Sequence, residues 1–97
     1  ICSVDSGERI WQLPLYKEYL EDMKSSFADL SNLSKSGTAG TATAAAFLSE
    51  FVPLNTSWVH LDIAGTAWEE NDKPYQSPGA TLSSVRLLTQ WLYNKAK

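Results

Sequence analysis

His60 and Asp62 are the two side chains in this sequence whose types and spacing could do chemistry together. They lie two residues apart in Trp58-Val-His-Leu-Asp-Ile63, and in an extended segment that spacing points both to one face. A histidine and a carboxylate on one face suit a metal site or an acid–base pair. A metal site needs three or four ligands, however, and no third His, Cys or carboxylate stands at a suitable spacing. The pair is therefore read as buried polar groups hydrogen-bonded to neighbouring backbone. Glu69, Glu70 and Asp72 form an acidic cluster. A calcium or manganese role is chemically conceivable there, but the cluster is read as solvated charge in a loop. Ser36-Gly-Thr-Ala-Gly-Thr41 precedes a helix, where backbone N–H groups attract anions. It lacks the Gly-Lys-Ser/Thr ending of a phosphate loop and follows no strong strand, which argues against a nucleotide site. No Gly-x-Ser-x-Gly elbow occurs, and a lone histidine offers no Ser or Cys triad.

These residues need elements to position them. Trp58, Val59, Leu61 and Ile63 form a nearly continuous apolar run, the pattern of a strand covered on both faces. Ala64-Gly-Thr-Ala67 then removes bulk at the strand's carboxyl end, where open α/β sheets bind ligands. Residues 1–9 read as irregular. Pro14 opens an amphipathic helix of about eleven residues, with Leu15, Tyr16, Tyr19, Leu20 and Met23 at helical spacing. Phe27 to Leu33 reads as a short strand, and 34–41 as a loop. Thr43 to Phe51 reads as a helix that Pro53 stops. An acidic, proline-containing loop runs through Gly79, and a last helix spans about Thr81 to Asn94. A lone strand cannot be a sheet. The expected fold is therefore α/β with an incomplete sheet, continued in residues outside this chain or in another chain.

Ninety-seven residues bound the chain to one domain with a modest core. A hydrophobic fraction of 43%, with four Trp, four Tyr and three Phe, argues for a folded chain rather than a disordered one. A mean hydropathy of -0.24 without a long apolar run gives no membrane span. A net charge of -3 offers nucleic acid no electrostatic reason to bind. Cys2 is the single cysteine, so no internal disulfide can form and a reducing cytoplasm is expected. The chain opens on Ile1 and its one methionine is Met23, so residue 1 is read as a boundary or processing site rather than a native translation start.

Three blocks carry a resemblance. They are Ser6-Gly-Glu-Arg-Ile-Trp-Gln-Leu-Pro-Leu15; Ala28-Asp-Leu-Ser-Asn32 with Thr43-Ala-Ala-Ala-Phe-Leu-Ser-Glu-Phe51; and Val59-His-Leu-Asp-Ile-Ala-Gly-Thr-Ala67 with Gly79-Ala-Thr81 and Val85-Arg86. In order and spacing the chain resembles the last fifth or so of the leucyl (cytosol) aminopeptidases, hexameric two-metal exopeptidases. The resemblance implies part of a three-layer αβα catalytic domain of the zinc-peptidase kind. It implies two divalent metals, zinc or manganese, held by residues upstream of this region together with the catalytic lysine and arginine. No metal ligand and no catalytic residue is expected in this chain, and by itself it is expected to be inactive.

The same resemblance implies substrate-binding roles for three residues. Leu33 would line the pocket for the residue after the scissile bond, beside a 36–41 loop that borders the cavity; the plain alternative for that loop is a connector with helix-capping threonines. Ala64 and Ala67 would line the pocket for the substrate's N-terminal side chain. Small apolar walls suit a leucine-like group, each buried CH₂ contributing about 0.8 kcal/mol. The plain alternative is that these alanines only let a helix pack closely on the strand. The implied partners are a peptide substrate, the rest of the catalytic domain and further copies of the chain in a hexamer. The sequence departs from the family pattern at Ser34, where a glycine is usual, and at Leu82-Ser-Ser84, which replaces a glycine–aromatic–glycine stretch. A free-standing, non-catalytic association module is the competing expectation, since an unpaired strand edge and exposed aromatics make a docking surface.

Overall fold

Four helices and one short hairpin make up the regular structure: α1 (Cys2–Ser6), α2 (Lys17–Glu21), α3 (Gly40–Ser49), β1 (Trp68–Glu69), β2 (Gly79–Ala80) and α4 (Val85–Lys95). The computed structural model describes every residue from Ile1 to Lys97. The chain divides into two compact units, Gln12–His60 and Ile1–Trp11 with Leu61–Lys97. The class is mixed helix and strand, as the sequence leads one to expect. No helix is long and apolar enough to cross a membrane.

In the unit Gln12–His60, α2 packs against α3. The contact is close because α3 presents small side chains: Ala42, Thr43 and Ala46 are buried, together with Met23 just after α2. Thr43 Oγ1 satisfies itself on the Ala39 and Gly40 carbonyls, at 3.3 and 3.2 Å, so its burial leaves no orphan hydroxyl. The amphipathic helix expected from Pro14 is shorter than its sequence pattern, starting at Lys17 after an extended Tyr16. It stops where the chain beyond it supplies donors: Met23 O accepts the Ser31 N–H at 2.7 Å and Asp22 O accepts Lys35 N–H at 3.1 Å. The strand expected over Phe27–Leu33 does not form. Its backbone donors are captured locally, those of Phe27 and Ala28 by Ser25 Oγ and that of Leu33 by Ser31 Oγ, which is how serine competes with a ladder.

The strand expected over Trp58–Ile63 is also corrected. The segment joins no ladder, and Val59 is 70% exposed and Ile63 40%. A strand needs a partner for its N–H and C=O groups, and this chain supplies none beside it. The single β-pairing lies instead within the expected acidic loop, as the antiparallel pair Trp68↔Ala80 and Glu69↔Gly79. Lys73 and Gln76 exchange N–H···O bonds of 2.9 and 3.1 Å at its far end. There Glu69 pairs with the Lys73 ammonium and accepts the Asn71 N–H.

In the second unit the region expected to be irregular holds α1, which ends at Gly7 (φ 71°) and packs on α4. α4 begins at Val85, four residues later than expected, because Leu82 and Ser84 take left-handed backbone conformations (φ 55° and 72°). Ser84 is the N-cap but its side chain makes no capping bond. Glu8 does that work from the other end of the chain: its Oε1 accepts the Ser84 N–H at 2.9 Å and its Oε2 the Leu87 N–H at 2.7 Å. Two orphan donors of α4 are thereby satisfied by a negative charge placed at the positive end of the helix dipole. Leu87, immediately inside this cap, is the buried apolar residue of the unit.

Three outcomes follow. Glu8→Ala lowers stability by about 1–2 kcal/mol in urea unfolding, the usual loss on removing a helix cap. Ser84→Gly raises it by up to about 1 kcal/mol, since an L-residue in the left-handed region is strained and glycine's extra chain entropy offsets part of the gain. The third concerns pH. The Lys73 ammonium, and secondarily the Asn71 N–H, hold the Glu69 carboxyl below its ordinary 4.5, and Glu69 in turn holds Lys73 above 10.5. The depressed carboxyl stabilises the hairpin fully above pH 4.5, and that contribution disappears as pH falls through the lowered value. Amide protection at Lys73 and Gln76 therefore weakens on acidification, and Glu69→Gln abolishes this acid dependence.

Candidate functional site

Ala64 and Ala67 stand in a turn, Ile63–Ala67, built on one carbonyl. Ile63 O accepts the Thr66 N–H at 2.9 Å and the Ala67 N–H at 2.8 Å. Asp62 starts the turn: its carboxylate accepts the Ala64 N–H at 2.9 Å, the local bond that makes aspartate a turn former. Asp62 thus binds neighbouring backbone, although it is exposed rather than buried. His60 belongs to the other unit and lies half-buried beside Trp58, ring centroids 6.3 Å apart. Ala64 is exposed and Ala67 half-buried. A Cβ added at Gly65 would meet nothing within 4 Å, so within this chain the space over the turn is open.

Leu33, 80% exposed, lines a cavity of about 540 Å³ with Phe27, Ala28, Leu30 and Asn32. A second cavity of about 270 Å³ lies at the start of α3, between Leu13, Pro14 and Tyr19 on one side and Ala39 to Ala42 on the other. Both belong to the unit Gln12–His60, and neither includes Ala64 or Ala67. The loop between them is anchored, not free. Asp22 accepts the Ser36 N–H at 3.1 Å and the Ser36 hydroxyl at 2.7 Å, and that hydroxyl lies 3.0 Å from Thr38 Oγ1. No threonine caps α3; its N-cap is Ala39, at φ 51° with no side-chain capping bond.

No group of three or more His, Cys, Asp or Glu side chains that could hold a metal comes together in the chain. The residues present do not fit a metal pair.

Sequence reasoning missed Glu8, which carried no signal because its partners lie 76 and 79 residues away. It also missed two hydroxyls and one backbone N–H that close on the Ile63–Ala67 turn. Thr81 Oγ1 donates to Thr66 O at 2.5 Å, Ser83 Oγ donates to Thr66 Oγ1 at 2.9 Å, and the Thr81 N–H donates to Ala67 O at 3.0 Å. Gly79-Ala-Thr81 was visible as a block, but nothing in it says which carbonyl Thr81 reaches.

Residues 2–89 match the model of the cytosol aminopeptidase family, catalytic domain. The chain is 56% identical over 87 residues to the probable cytosol aminopeptidase of Geobacter sulfurreducens, covering 90% of this chain and 17% of that protein. It is 54% identical over 91 residues to the one from Geobacter sp. strain M21, covering 94% and 18%. Among solved structures, the cytosol aminopeptidase of Coxiella burnetii superposes with a TM-score of 0.88 at 34% identity, over 99% of this chain and 21% of that one. The chain thus spans about a fifth of the length of the proteins it matches. It belongs to the cytosol aminopeptidase family, within the part that forms the catalytic domain.

Proposed function

We propose that this chain is a segment of a metal-dependent aminopeptidase that releases N-terminal residues such as leucine from peptides, and that it supplies pocket walls without metal ligands. The observation that carries this reading is the match of residues 2–89 to the family's catalytic domain. Ala64 and Ala67 contact the substrate's first side chain and Leu33 the residue after the scissile bond. Two divalent metals, zinc or manganese, would be held by other parts of the enzyme and would supply the Lewis acidity for hydrolysis there. This chain's share is to bind and orient the peptide. The assembled enzyme is a cytoplasmic hexamer with a three-layer αβα domain.

The chain's own surface supports the reading. Trp11 is 88% exposed, Phe27 95% and Tyr75 82%, and apolar area on that scale calls for a cover. The remainder of the catalytic domain is the cover proposed.

The purified 97-residue chain is expected to show no hydrolysis of a leucyl amide in the presence of added zinc or manganese. Turnover by the chain alone, measured by release of the amide's chromophore, would overturn the assignment of the chemistry to other segments.

A further inference from the structure

Three hydroxyl side chains close on the turn that carries Ala64 and Ala67. Ser83 Oγ donates to Thr66 Oγ1 at 2.9 Å, and Thr66 Oγ1 donates onward to Ile63 O at 3.3 Å. Ile63 O already accepts the Thr66 and Ala67 N–H groups, so three donors converge on the oxygen that defines the turn. On the other side Thr81 Oγ1 donates to Thr66 O at 2.5 Å and accepts the Ser83 N–H at 3.3 Å. The Thr81 N–H donates to Ala67 O at 3.0 Å, extending the β1–β2 pairing by one bond. The circuit has a fixed polarity. With Ser83 donating, the Thr66 hydroxyl is free to donate only toward Ile63 O, and each bond orients the next.

The backbone on either side of Ser83 is strained, with Leu82 at φ 55° and Ser84 at φ 72°. Leucine has no local side-chain bond to compensate that conformation. Strained backbone persists where surrounding interactions over-determine it, and here they do so from both sides. Ser83 is tied to Thr66 through its side chain and to Thr81 through its N–H, while the Ser84 N–H is held by Glu8.

We propose that Thr66, Thr81 and Ser83 are positioning residues that fix the course of the Ile63–Ala67 turn, and through it the width of the apolar wall that Ala64 and Ala67 offer to a peptide's first side chain. The second half of this statement rests on the pocket-wall reading above. The hydroxyl-donated bonds are exposed, so each alone competes with water; their effect comes from closing one circuit.

Two measurements separate the two halves. In the 97-residue chain, Ser83→Ala accelerates hydrogen exchange at the Thr66, Ala67 and Thr81 amides by about five-fold, the net worth of one hydrogen bond. Thr66→Val does the same, the double variant adds little to Thr66→Val alone because the two share one bond, and Thr66→Ser retains wild-type exchange. Unchanged exchange in Ser83→Ala, strict additivity, or a wild-type turn without protection overturns the clasp. In the full-length aminopeptidase carrying this segment, Ser83→Ala raises KM for a leucyl amide by about five-fold relative to an alanyl amide, with kcat little changed and Thr66→Ser matching wild type. A loosened turn with an unchanged KM ratio overturns the step from turn to pocket. A full-length wild type that hydrolyses neither amide defeats the pocket-wall reading, while the exchange result still decides the clasp.

Discussion

The Glu8 carboxylate at the start of α4 is the constraint on which the unit Ile1–Trp11 with Leu61–Lys97 depends. Helix α4 opens through a left-handed serine that cannot cap it, so its first N–H groups would otherwise face water or nothing. Glu8 takes two of them, through both oxygens, and this ties the first residues of the sequence to nearly the last. Packing follows from it. α1 lies against α4, Leu87 is buried just inside the cap, and Asn94 reaches Cys2 Sγ at 3.5 Å. A carboxylate accepting two backbone N–H groups at a helix N-terminus combines charge, dipole and hydrogen bonding in one contact, which a unit with so little buried apolar area needs.

The unit Gln12–His60 is built on the same logic with different parts. Its core is small, formed by Met23, Ala42, Thr43 and Ala46, and its loop is held by Asp22 and Ser36 rather than by apolar contact. In both units a carboxylate accepts donors from elsewhere in the chain, Glu8 the Ser84 and Leu87 N–H groups and Asp22 the N–H and hydroxyl of Ser36. Polar bonds therefore hold the shape of loops whose apolar neighbours remain uncovered. Exposed Phe27, Leu33 and Leu54 stand in a chain that spans about a fifth of the length of the aminopeptidases it matches.

The family assignment and the open surfaces illuminate the Trp58–Ile63 segment together. Its apolar run is the composition of an interior strand, yet here it has no ladder and is largely exposed. Strand formation is a property of two segments, because the hydrogen bonds lie between them. Composition can make a segment fit for a sheet; it cannot provide the neighbour. The small-residue turn that follows is different. It forms here without a neighbouring strand beside Trp58–Ile63, through local bonds within Asp62–Ala67 and through Thr81 and Ser83.

Much was legible where the physics is local. Alanine-rich α3 and the α4 periodicity of Val85, Leu88 and Leu92 lie close to where the pattern puts them, because helix bonds connect residues four apart. The blocks that resemble aminopeptidases identified the family, since residue types at fixed spacing survive without any neighbour. The overshoot of α2, the missing strands, the helix in residues 2–6 and the hairpin at Trp68–Ala80 were not legible. Distant partners decided several of these, Ser31 and Lys35 on the carbonyls after α2, Glu8 on α4 and Thr81 on Ala67, while the Ser25 and Ser31 hydroxyls captured the donors of Phe27–Leu33. Sequence alone determined the kind of protein this is and which stretches can be helical or turn. Only the tertiary structure decided how the ends of those stretches are satisfied, because a backbone polar group bonds to whatever the fold brings to within about 3 Å, not to what precedes it in the chain.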